Sequence, residues 1–145
     1  MSDSLVNYID AKFGGQDRRF QILREDAHIV ERTLGKAAYQ TFLDLAEGRW
    51  WHRDVEIILS SGLGSFEEPE GPSIGESLGR LSVAFGNPPV HVDRRFYRED
   101  DDVIACLREH GAAKYAPLAL KLLEALIFGI TPADATFDEN ATEAA

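Results

Sequence analysis

Two His-x-Asp triplets, His52-Arg53-Asp54 and His91-Val92-Asp93, are the residues of this chain best suited to chemistry, because imidazole and carboxylate together make a ligand set for a divalent metal. Their spacing argues against that use. On an extended segment His91 and Asp93 share a face, whereas His52 and Asp54, two apart at a helix start, point in different directions. Helix caps and surface residues are the favoured reading, and no metal or other cofactor is expected. His28 and His110 fall on charged helix faces and read as solvated. The glycine-flanked serine in Gly62-Leu63-Gly64-Ser65 lacks the G-x-S-x-G arrangement that presents a nucleophile, and no lysine follows to make a phosphate cradle. The single cysteine, Cys106, lies beside Val103, Ile104 and Leu107 on the apolar side of a helix and reads as a small buried hydrophobe. No catalytic residue is assigned, and the chain reads as a non-enzyme.

Recognition through apolar surface is the alternative to bond-making. Trp50 and Trp51 stand between two helices, and adjacent side chains diverge, so one seals the core while the other lies toward the surface as a possible anchor. Tyr115, Leu118, Ala119, Leu122, Leu123 and Leu126 recur at helical spacing, with only Lys114, Lys121 and Glu124 interrupting an otherwise apolar helix. Such a helix is either the central core element or a docking face, and core is the commoner outcome. Phe128 falls on the stripe otherwise occupied by Lys114, Lys121 and Glu124 and is a second exposed-anchor candidate. Trp50, Trp51, Leu122, Leu126 and Phe128 are therefore the candidate partner-binding residues.

These residues need elements to position them. Leu5 to Phe13 and Arg18 to Leu23 read as two strands joined through Gly-Gly-Gln-Asp, an N-terminal hairpin whose alternation leaves its buried face open. Asp26 can cap a helix carrying Ala27, Ile29, Val30 and Leu34 that ends at Gly35. A second helix, from Lys36 to Ala46, places Ala38, Phe42 and Leu45 on one face and stops at Gly48. A third, His52 to Ser61, groups Val55, Ile58 and Leu59, opens on Asp54 and Glu56, and breaks at Gly62. From Gly64 to Arg98 prolines and glycines deny any long regular element. Within that stretch Ile74, Leu78, Leu81, Val83 and Phe85 fit a short helix against the core, and Val90, His91 and Val92 a brief extended piece. The acidic run Glu99 to Asp102 opens the next helix and Gly111 closes it, before the apolar helix that runs to Gly129. The fold class is mainly α with a short N-terminal β-hairpin. Residues 1–130 form a single domain that includes the Pro/Gly-rich stretch at 64–98, and residues 131–145, PADATFDENATEAA after Thr131, read as a disordered acidic tail.

Composition narrows the partners. A chain of 145 residues fits one domain, which at this size buries roughly 68–70% of its unfolded surface. With 25 acidic against 15 basic residues, the net charge of −10 repels nucleic-acid phosphate and anionic lipid. No apolar run approaches the ~18 residues of a membrane span, the N-terminus lacks a basic start followed by an apolar core, and one cysteine fits a reducing compartment, so the expected location is the cytoplasm. Homo-oligomerisation is compatible with these features.

The order of elements resembles the small tail assembly chaperones of tailed phages, in the gene-transfer-agent branch found in prophage-derived clusters. The resemblance rests on the hairpin leading through Phe20-Gln21-Ile22-Leu23 into Glu31-Arg32-Thr33-Leu34-Gly35. It continues with Arg53-Asp54-Val55 opening a helix that ends in Gly62-Leu63, and with Val103-Ile104 through Leu107, His110-Gly111, Leu122-Leu123 and Ala125-Leu126 to Gly129. It covers residues 5–63 and 99–129, and the 64–98 stretch looks like an insertion into the shorter pattern. It implies a non-enzymatic protein that binds a long, aggregation-prone tape measure protein during tail assembly and is absent from the finished particle. The label tail tube protein, also used in this family, implies a closed β ring, for which this sequence has too few strands. A minor tail or head-tail component retained in the particle, a small metal-dependent enzyme, and a host-side module such as an antitoxin are the competing readings.

Overall fold

Gly14 and Gly15 both have positive φ, 60° and 77°, the backbone that a two-residue hairpin turn matched to strand twist demands. They join β1 (Tyr8–Phe13) to β2 (Gln16–Gln21) in an antiparallel ladder with Ile9 opposite Phe20, so the turn is two residues and Gln16 and Asp17 already belong to β2. Ile9, Ala11 and Phe13 are buried while Asp10 and Lys12 are exposed, which fixes the inner face that the sequence left open. The computed structural model describes residues 4–69, 78, 80, 81, 83–86 and 93–141.

After a 3₁₀ turn at Arg24–Asp26 come helices α1 (Ala27–Leu34), α2 (Ala38–Ala46), α3 (His52–Gly62), α4 (Asp101–His110) and α5 (Ala112–Ile127). This is the expected class, a small α+β domain that is mainly helical with an N-terminal hairpin. Gly35 takes the left-handed conformation at the end of α1 with its N–H donating to Glu31 O. The Asp100 carboxylate accepts from the Asp102 and Val103 amides and caps α4.

The apolar helix α5 is core. Tyr115, Leu118, Ala119, Leu122 and Leu123 are fully buried, packed on the sheet, α2 and α3. Helix α3 is nearly as enclosed, with Val55, Ile57, Ile58, Leu59, Ser60 and Ser61 inaccessible. The two close on each other at Gly62, the last residue of α3, where the helix stops as expected; Gly64, with φ +77°, follows the helix end. Asp26 also departs from its expected role. Its carboxylate makes no cap bond and instead pairs with Arg95 at 2.6 Å, because a carboxylate only 6% exposed requires a counter-charge more than a helix start does.

The disordered tail expected from residue 131 is corrected over its described part. Ala135 is buried, and β5 (Thr136–Asp138) runs parallel to β1, giving a sheet of order β2-β1-β5. Three anchors outweigh the polar composition: Phe137 against the core, Glu139 in the hairpin turn, and Lys121 donating to the carbonyls of Asp134 and Thr136. In the 64–98 stretch, β3 (Phe66–Glu67) and β4 (Phe96–Tyr97) pair antiparallel. Leu78, Leu81 and Val83 have helical backbone as expected but do not lie against the core: with Phe85 they are 42–80% exposed. Ile74 and the Val90-His91-Val92 piece lie outside the described residues.

Candidate functional site

Helix α2 turns one face toward α5, and the same spacing that buries Ala38, Thr41 and Leu45 leaves Tyr39 and Phe42 at its margin. Phe128 caps the C-terminus of α5 beside them, and Gly129 turns the chain away with φ +80°. The three rings touch. Tyr39 and Phe42 stack at 6.4 Å between centroids, Phe42 and Phe128 meet edge to face at 5.6 Å, and Tyr39 and Phe128 at 6.3 Å. Leu5 lies over Gly129, the residue after Phe128, where an added Cβ would come within 2.8 Å of the Leu5 Cβ. Tyr39, Phe128 and Leu5 are each more than half exposed, so large apolar surface faces solvent next to a saturated core.

The residues singled out from sequence divide clearly. Phe128 is exposed, as expected, and Trp51 is 75% exposed, whereas Trp50 is half-buried against the core. Leu122 and Leu126 are core residues at 0% and 6% exposure, so their assignment to a partner surface is corrected: the stripe they share packs on the protein's own α2 and α3. Sequence reading did not single out Tyr39 or Leu5 for a surface role, and it put Phe42 on one helix face with Ala38 and Leu45, where it is half-buried against the core. The signal available was the pair Tyr39 and Phe42, three apart on a helix whose buried stripe is already complete.

The groups considered for chemistry are engaged in structure. Asp54 is buried, accepts from the Trp51 amide at 3.0 Å and pairs with Lys36, whose second partner is Asp44 at 2.9 Å. Burial works against the Lys36 charge, but the Asp44 and Asp54 carboxylates outweigh it and hold its pKa above the usual lysine value. Asp93 is held well below the usual carboxylate range by Arg95, which bonds it through side chain and backbone, and His28 approaches it at 3.3 Å. His91 lies outside the described residues. Ser65 works through its backbone, its N–H donating to Ser60 and its carbonyl accepting from Arg98. Cys106 is half-buried and not the wholly enclosed hydrophobe expected; burial, with Glu139, Asp102 and Glu109 nearby, pushes its thiol up and away from thiolate. Tyr97 is pushed up to about 12 by burial. Among the described residues no group of three or more His, Cys, Asp or Glu side chains is placed to hold a metal, and no helix is long and apolar enough to cross a membrane.

No family model, curated protein or solved structure matches this chain.

Proposed function

We propose that this protein is a non-enzymatic assembly chaperone of the phage or gene-transfer-agent tail type, acting in the bacterial cytoplasm on a long helical tape measure protein. The observation that carries the reading is the three-ring cluster of Tyr39, Phe42 and Phe128, in which Tyr39 and Phe128 are more than half exposed, with exposed Leu5 over the neighbouring Gly129. A rigid aromatic patch suits the apolar stripe of an amphipathic helix, which it covers at low conformational cost. A net charge of −10 keeps such a complex dispersed, because like-charged complexes repel before their remaining apolar surfaces meet.

Co-expression tests the reading. A tape measure protein that is insoluble alone should remain in the soluble fraction with this chain and co-purify with it, while mass spectrometry of finished particles should find the tape measure protein without its escort. Stoichiometric presence of the chain in particles would assign it to the structure instead.

A further inference from the structure

β2 forms one edge of the three-stranded sheet, six residues long against three for β5 at the other edge. The direction of its unused backbone groups follows from β1. Asp10 N–H donates to the Ala135 carbonyl and the Lys12 carbonyl accepts from Glu139 N–H, so both residues turn their backbone toward β5. Arg19 and Asp17, which lie opposite them in the antiparallel ladder, therefore turn theirs away from β1. Among the described residues no other strand or backbone group pairs with this edge. A row of unpaired donors and acceptors is a template for another strand. The side chains on the solvent face say which strand fits. The ladders put Asp138, Lys12 and Asp17 in one row and Thr136, Asp10 and Arg19 in the next, so the charges alternate in sign along each row up to the edge. Asp17 makes no ion pair among the described residues. Arg19 bonds Asp10 through Nε and Nη2 at 2.7 and 3.1 Å, lies over the Tyr8 ring, and keeps Nη1 for a second carboxylate.

We infer that β2 pairs with β2 of a second copy, antiparallel about a two-fold axis at Arg18, joining the two sheets into one. The inference does not depend on the tail-assembly reading. Outward backbone groups must oppose outward groups, and the two registers that then overlap most of the strand are centred on Arg18, pairing residues 16–20, or on Arg19, pairing residues 17–21. Charge chooses between them. The register centred on Arg19 sets that guanidinium against its own copy. The register centred on Arg18 sets Asp17 against Arg19 of the second chain on both sides of the axis, and so carries the alternation of both rows across it. Each Asp17–Arg19 pair also exchanges both of its backbone hydrogen bonds. The two Arg18 side chains that meet at the axis on the inner face each hold their own Asp102 carboxylate at 2.9 Å, which compensates the like charges. Because the same edge serves both chains, the contact closes at two copies and does not propagate.

The test is sedimentation velocity of the full chain at roughly 10 to 500 µM, at physiological ionic strength, where the repulsion between chains of net charge −10 is screened beyond about 8 Å. The wild type should pass from monomer to dimer across that range. Asp17→Arg and Arg19→Asp should each weaken self-association at least about tenfold, because each sets like charges opposite one another on both sides of the axis. An equimolar mixture of the two variants should regain the dimer, since every edge pair in the mixed dimer again joins opposite charges. In the wild type, the amides of Asp17 and Arg19 should exchange at least about threefold more slowly at the highest concentration than at the lowest, while the inward amide of Arg18 stays unchanged. That measurement decides the matter alone if either variant loses its helical circular dichroism. A wild type that remains monomeric throughout, leaving the edge to a strand of another protein, overturns the proposal. So does a dimer in which the Asp17 and Arg19 amides gain no protection, and so do folded variants that associate like the wild type or whose mixture does not recover.

Discussion

Gly62 faces Leu122 so closely that a methyl group added at Gly62 would stand 2.5 Å from Leu122 Cδ2 and 3.0 Å from Phe20 Cδ1. The contact joins the two most buried helices to the sheet. Both neighbours are enclosed, so neither can swing aside into solvent. Gly62→Ala should therefore destabilise the fold by about 1–3 kcal/mol through overpacking. Urea unfolding followed by circular dichroism checks it, and a loss under about 0.5 kcal/mol would mean that α3 and α5 have room to separate.

Arg95 is the counter-charge of the buried Asp26. Arg95→Met leaves that carboxylate uncompensated and should cost about 2–4 kcal/mol, less than for a fully enclosed pair because Arg95 is itself partly exposed. Adding Asp26→Asn should recover a good part of the loss. A double-mutant cycle with no coupling would show that the pair contributes nothing.

Glu56 works against stability at neutral pH. Burial, and then the neighbouring Glu99, raise its pKa in the folded protein. A raised folded pKa contributes stability that is present below the unfolded pKa and lost as pH rises through the folded one, so the ionised form at pH 7 is a cost. Glu56→Gln should raise the melting temperature at pH 7 by about 1–3 °C, with the gain shrinking toward acid. A lower melting temperature at pH 7 would contradict it.

Glu139 has the opposite slope. Burial opposes its charge, but the Gly15 amide, the Tyr115 hydroxyl and the Gly14 amide outweigh it and depress its pKa. Its contribution is present above the unfolded value, near 4.3, and disappears as pH falls through the lower folded value. Glu139→Gln should cost about 1 kcal/mol at pH 7, modest because the carboxylate is only partly buried, and progressively less below pH 4. A penalty independent of pH would show that shape and not charge holds the tail.

Much of this architecture is written locally. Gly14-Gly15, Gly35, Gly48 and the acidic start of α4 each announce a turn, stop or cap through their own conformational preferences, whereas the apolar surplus of α5 left core and docking face both open until its packing on α2 and α3 decided for core. The patch was half legible. Phe128 stood out because it lay among charges, while Tyr39 and Leu5 became part of the site only when α2 and the N-terminal segment met the end of α5. What escaped depends on partners distant in sequence. β5 has one aromatic anchor in an acidic stretch, and its ladder lies more than 120 residues upstream, at Asp10 to Lys12. Likewise Asp26 reads as a cap until Arg95 approaches, and Gly62 as a helix stop alone until Leu122 does.

The aromatic patch is best tested by Phe128→Glu in the full chain, with melting temperature and tape measure affinity measured on the same preparation. The ring is 54% exposed and lies past the last turn of α5, so the melting temperature should stay within about 2 °C while affinity falls about 30-fold or more, as for loss of a central anchor. Unchanged affinity in a folded variant, or loss of folding with the substitution, would contradict the account.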